Sequence, residues 1–147
     1  YHRRTFHRTF TEKVSHSPIK PKFDLTMKVI NSIYEYLNGN IHCFSGKQYF
    51  YTLFAALVHQ LYGLPVLDAP RKSEYSSEHI SEHMPCLLDR LAQFENHFER
   101  CIIDKASWYD MYVEFTEFEK LHRTRTTNKT ERFERVKFLS NYIAGDL

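Results

Sequence analysis

One hundred and forty-seven residues, 42% hydrophobic and 26% charged with a net charge of +2, suit one globular domain able to bury a core unaided by disulfides or metal. Twelve Phe and ten Tyr supply that core, while four Gly and five Pro are too few for collagen-like, linker-like or turn-dense all-β chains. No apolar run reaches the roughly 18 residues of a membrane span. The opening YHRRTFHRTF carries three Arg and two His, unlike a secretory signal. The chain does not begin with Met, so we expect a piece of a longer protein or a processed product.

Charge is unevenly placed. Residues 1–22 hold six basic residues and one acid; residues 23–106 hold seven basic and ten acidic. Asp110, Glu114, Glu117 and Glu119 then precede a tail, residues 121–147, with six basic residues and three acids. The basic ends can contact phosphates or pair with the acidic stretch. Cys43, Cys86 and Cys101 are an odd, widely spaced set among apolar residues, which predicts buried reduced thiols and a cytoplasmic protein.

Residues 1–22, containing SHSPIKPK, read as a basic extended lead-in or linker, and residues 23–147 as a helical domain. From Phe23 an apolar stripe runs through Met27, Ile30, Ile33, Tyr34 and Leu37, the spacing of a helix face, until Asn38-Gly39-Asn40 stops it. Residues 41–44 make a short connector for which extended backbone is one option. Ser45-Gly46-Lys47-Gln48 has the form of a capping box. It precedes a helix, apolar around most of its girth, carrying Phe50, Leu53, Phe54, Leu57, Val58 and Leu61. Gly63 and Pro65 end it, and residues 64–76 form a loop.

A third helix follows through Ile80, Leu87, Leu91, Phe94 and Phe98, with a kink or a new first turn expected at Pro85. Ser107 is predicted to cap a fourth, from Trp108 through Met111 and Phe115 to Leu121. Asn128-Lys129-Thr130-Glu131 opens a fifth with Phe133, Val136, Leu139, Tyr142 and Ile143. The expected fold is all-α, a bundle of about five helices.

Three residue sets could carry chemistry. His79-Ile80-Ser81-Glu82-His83 matches H-x-x-E-H, in which His79 and His83 share a helix face to hold zinc while Glu82 activates water. It needs a third protein ligand, and Glu95, Glu99 or Glu114 would have to supply it. The plainer reading is a solvated polar face. Arg90 and His97 fit the loose R-x4–6-H spacing of HEPN ribonucleases, with Arg90 steadying phosphate charge and His97 moving protons. That family usually has a polar residue after the Arg, where this chain has Leu91, and a surface Arg beside a half-buried His is the plainer alternative. Arg123, Arg125, Lys129, Arg132 and Arg135 surround the start of the fifth helix, whose free N–H groups also favour an anion. They can bind nucleic-acid backbone, or answer Glu114, Glu117 and Glu119. No Gly-rich phosphate loop, G-x-S-x-G or dinucleotide fingerprint occurs, so no cofactor is expected.

Two phrases carry a family resemblance. Phe44-Ser45 followed by Phe50-Tyr51-Thr52-Leu53-Phe54-Ala55-Ala56-Leu57, and Arg125-Thr126-Thr127-Asn128 followed by Arg132, Arg135, Phe138 and Leu139, resemble the later helical part of proteins carrying the GmrSD restriction-endonuclease N-terminal domain, a ParB-like family. The resemblance spans roughly residues 23–145. It implies a two-part protein whose N-terminal ParB-like domain bears a D-G-Q-x-R type motif associated with nucleotide binding or hydrolysis. That motif and any H-N-H nuclease motif are missing here, so no catalytic residue carries over. The expected role is a non-catalytic accessory domain of a DNA-processing or restriction and defence protein, partnered by its ParB-like domain and by DNA.

Overall fold

The computed structural model describes residues 19–123 and 128–145. Among them it shows helices and no strand: α1 (Ile19–Leu37), α2 (Lys47–Tyr62), α3 (Ile80–Phe98), α4 (Tyr112–Arg123) and α5 (Lys129–Ile143). A single 3₁₀ turn, Ser73–Tyr75, precedes α3, and a π-helical turn, Glu99–Ile103, extends it. The expected all-α bundle of about five helices is present. None of the described helices is long and apolar enough to cross a membrane.

Each stripe finds a partner. In α1, Phe23, Ile30, Ile33 and Leu37 are buried, and the helix packs on α2 and α3. Residues 19–22, expected as the end of the extended lead-in, are helical, and the helix accommodates Pro21 among them. Helix α2 buries residues on most of its circumference and packs against α1 and α5. Helix α5 also closes on α3 and α4.

Helix α3 runs through Pro85 as one element. The proline lies near the N-terminal end on an exposed face, so only one early backbone bond is forfeited.

Four local expectations change. The capping box at Ser45 does not form: Gly46 is the N-cap residue without a side-chain bond, and Ser45 is exposed, its hydroxyl facing the His42 carbonyl at 3.4 Å. Residues 41–44 bend into a turn, held from α3 as described below. The fourth helix starts at Tyr112, not near Ser107, because Met111 adopts φ +65° and breaks the helical path. Trp108 is therefore 80% exposed rather than part of an apolar face. Cys43 and Cys101 are buried as expected, but Cys86 is exposed on α3; all three thiols are free. By contrast Asn128 caps α5 as its sequence suggests, its side-chain oxygen accepting from the Thr130 N–H at 2.8 Å.

Candidate functional site

The buried polar groups show where this chain spends its hydrogen bonds. Glu95 sits on the core face of α3, 1% exposed. Its Oε1 accepts from the backbone N–H groups of His42 (2.8 Å) and Cys43 (2.7 Å), and its Oε2 from that of Phe44 (3.0 Å). Three consecutive amides thus close on one carboxylate, folding residues 41–44 onto the bundle. The phenol of Tyr34 adds a 2.6 Å bond to the Phe44 carbonyl. Burial pushes the Cys43 thiol pKa well up, and the negative Glu95 adds to it, so Cys43 is held as an inert thiol.

Residues 64–72 are held from α2 in a similar way. His59 Nδ1 accepts from the Leu64 N–H at 3.0 Å, which leaves Nε2 to donate to the Ala69 carbonyl at 2.9 Å. Gln60 donates to the Pro70 carbonyl and accepts from the Lys72 N–H. Gly63, at φ +86°, makes the left-handed turn that leads into this loop, and its N–H caps the His59 carbonyl at 2.8 Å.

His122, at the end of α4, joins α4 to α2. Its Nδ1 lies 2.8 Å from the Phe118 carbonyl and its Nε2 2.8 Å from the Thr52 hydroxyl, and Tyr49 stacks on the ring at 4.0 Å. The carbonyl accepts only, so the ring proton belongs on Nδ1 and the Thr52 hydroxyl donates to Nε2. Burial pushes the His122 pKa down to about 4; the Phe118 bond opposes the shift and the Arg135 guanidinium reinforces it.

An unfolded histidine titrates near 6.5, so the neutral ring contributes its full stability above that pH. As pH falls from about 6.5 to about 4 the unfolded chain takes up a proton that the folded chain refuses, removing about 3 kcal/mol. Urea midpoints measured at both ends of this range should therefore fall more for the wild type than for His122→Gln. Parallel pH profiles for the two proteins would contradict it.

The residues expected to do chemistry are distributed as follows. Arg90 and His97 both engage α5 at Tyr142. Arg90 Nε donates to the Tyr142 carbonyl at 2.7 Å, and its guanidinium lies 4.1 Å over the ring. His97 Nδ1 is 3.0 Å from the Tyr142 hydroxyl and 3.0 Å from the Gln93 carbonyl. Burial pushes the Tyr142 phenol up to about 12, with Arg90 opposing, so the hydroxyl stays protonated at neutral pH. His79 and Glu82 are exposed, and His83 Nδ1 lies 3.1 Å from the His79 carbonyl. Among the described residues no three His, Cys, Asp or Glu side chains gather as a metal set. Of the proposed third zinc ligands, Glu95 accepts from the amides of residues 42–44, Glu99 lies 3.5 Å from His42, and Glu114 is exposed on α4.

The five cations do not form one surface. Arg123 is exposed and pairs with Glu119 at 2.9 Å, and on the same helix Lys120 pairs with Glu117 at 3.6 Å. Lys129 is exposed, its ammonium 5.5 Å over the Phe133 ring, and Arg132 is exposed beside it on α5. Arg125 lies outside the described residues. Arg135 is the exception to the expected basic edge: it is buried, and its Nε donates to the Leu121 carbonyl at 2.8 Å, closing the end of α4. Arg132 and Arg135 do meet at one place, a cleft between α2 and α5.

Sequence reasoning missed Glu95, His59, Gln60 and His122 as organising groups. A signal existed: each occupies an i, i+3 or i+4 position beside buried apolar residues, as Glu95 does relative to Leu91 and Phe98. A charged side chain on a core face needs partners, although sequence alone does not name them.

Comparison of the chain with protein-family models, with curated proteins and with solved structures returned no match.

Proposed function

We propose that this chain is a non-catalytic helical interaction domain of a ParB-like, GmrSD-related DNA-processing or defence protein. In this role it packs against its ParB-like partner domain and touches nucleic-acid backbone. The observation that carries the non-catalytic part is the use of the buried polar side chains. Glu95, His59, Gln60 and Arg135 all hydrogen-bond to the chain's own backbone, holding loops and helix ends in place. Burial takes Arg135 out of the expected cation set; Arg123, Lys129 and Arg132, exposed on α4 and α5, are proposed to meet DNA together with Arg125 and the basic segment 1–22.

Fluorescence anisotropy with a labelled duplex tests the DNA contact. Every three phosphate contacts weaken affinity roughly 40-fold between about 50 mM and about 200 mM salt, and Lys129→Ala should lower the log–log slope by about 0.9. No binding at the lower salt removes the DNA part. A preceding stretch of the parent reading frame without a D-G-Q-x-R type motif removes the family part.

A HEPN-like metal-independent ribonuclease is a second reading, favoured by one observation: Tyr142 brings Arg90 and His97 to a single residue. Incubation with RNA and no metal should then give cleavage that His97→Ala abolishes. An intact RNA would end that reading.

A further inference from the structure

The junction between α3 and α4 exposes large apolar side chains that the core does not use. Ile103 is 56% exposed, Trp108 80% and Val113 67%. The loop that carries them is pinned by its own backbone. The Ala106 N–H donates to the Arg100 carbonyl at 3.0 Å, the Tyr109 N–H to the Ala106 carbonyl at 2.9 Å, and the Tyr112 N–H to the Tyr109 carbonyl at 3.2 Å. Ala106 is buried and Tyr109 meets the His97 ring edge-on at 5.4 Å, so Trp108 is held out on an anchored turn. Acids share this junction. Asp104, Asp110 and Glu114 are all exposed, and Lys105 is the one base between Ile103 and Glu114. Arg100 answers Asp104 at 3.8 Å, whereas Asp110 and Glu114 form no ion pair among the described residues. Burial pushes the Cys101 thiol pKa up, and Glu114 and Asp110 both add to it, so the two carboxylates converge on one part of the junction.

We propose that this junction docks a basic segment of a protein partner, one that carries Arg or Lys among apolar side chains. Its apolar residues cover Trp108, Val113 and Ile103, and its cations answer Asp110 and Glu114. A pre-positioned tryptophan is the kind of anchor on which interface energy concentrates. The carboxylates decide what covers it. They repel phosphate, which turns away DNA and an anionic bilayer, and they repel one another across a two-fold axis, which turns away the same face of a second copy. The inference extends the interaction role proposed above and does not depend on the DNA contact, which uses other side chains.

Trp108 is the only tryptophan in the chain, so its fluorescence reports on the site directly. The probe is a short peptide alternating Arg with Leu, titrated into the intact chain beside two controls, one alternating Glu with Leu and one alternating Arg with Gly. The free chain should emit as a solvated indole, and the Arg/Leu peptide should move that emission to the blue saturably. Both controls should bind at least about tenfold more weakly. Asp110→Asn combined with Glu114→Gln changes two exposed residues, so helical circular dichroism should persist while Arg/Leu affinity falls about tenfold. No shift with the Arg/Leu peptide, equal binding of either control, or full affinity in the double variant would overturn the proposal. So would a blue shift produced by phosphatidylserine vesicles or by raising the chain's own concentration, which would give the face to a membrane or to a second copy. DNA binding is read separately, by anisotropy of the labelled duplex, so the two readings fail independently.

Discussion

Replacing Glu95 with Ala is expected to lower the unfolding free energy by roughly 3–5 kcal/mol, a large share of what a domain this size has to lose. The substitution leaves the amides of His42, Cys43 and Phe44 without their shared acceptor, and those of Cys43 and Phe44 are in buried bonds. Stranding a buried donor costs about 1–3 kcal/mol, and bonds to a charged acceptor are the stronger kind. Water entering the vacated space recovers part of this loss, which is why the three costs do not simply add. No ion pair among the described residues involves Glu95, so the backbone is what keeps its charge tolerable in the core.

Glu95→Gln separates shape from charge. Its single amide oxygen can serve the His42 and Cys43 donors, but its NH₂ then opposes the Phe44 N–H, for a loss of roughly half that of Ala. Urea denaturation gives the energies. Hydrogen exchange should show protection lost first at residues 42–44. Unchanged exchange there in Glu95→Ala would mean that the turn is held by something other than the carboxylate.

The adjacent residue carries the second large effect. Phe94→Ala is expected to destabilise the fold by roughly 3–5 kcal/mol and to lower the melting temperature on the order of 10 °C. Phe94 has no solvent exposure and sits where α3, α4, α5 and the 41–44 turn converge. Its ring stacks on Phe44 at 5.6 Å, tilts against Phe115 at 4.9 Å, and meets Phe118 and Tyr142 edge-on at 5.5 and 4.9 Å. Truncation removes one ring from all of these pairs and leaves a cavity that four separate segments would have to collapse together to fill.

Phe94→Leu, which keeps most of the volume but none of the edge-to-face geometry, should cost about 1–2 kcal/mol. Near-ultraviolet circular dichroism should fall with Phe94→Ala while the far-ultraviolet helical signal persists. A melting temperature within a degree or two of wild type would show that the aromatic cluster is not the centre of the core.

Phe94 and Glu95 also mark how far the sequence could be read. The helix containing both was legible because Leu87, Leu91, Phe94 and Phe98 recur at the helical period, and α1 and α2 announced themselves in the same way. Asn128 was legible as a cap because capping acts within two or three residues. The start of α4 was not. Trp108, Met111 and Phe115 fit a helical spacing, yet backbone turns over residues 104–111, with left-handed residues at Lys105 and Met111, decide the geometry there. Ser45 had the letters of a capping box, but the turn drawn onto Glu95 leaves Gly46 as the cap residue.

The candidate sites were less legible than the fold. Arg135 was grouped with its basic neighbours because spacing and charge treat it as their equal. Burial against α2 and a bond to the Leu121 carbonyl set it apart. His97 and Arg90 were paired by spacing, and the residue that brings them together, Tyr142, lies 45 positions beyond His97.

By itself, the sequence of this protein determined that it folds as helices, where most of them run, and which faces are greasy, because hydrophobic periodicity and capping are local properties of the chain. Only the tertiary structure decided which polar residues hold the molecule together. The partners of Glu95 lie 51 to 53 residues away, and Thr52 meets His122 across 70. Whether a charged side chain faces water, a backbone amide or an apolar cleft depends on which distant segment is folded against it.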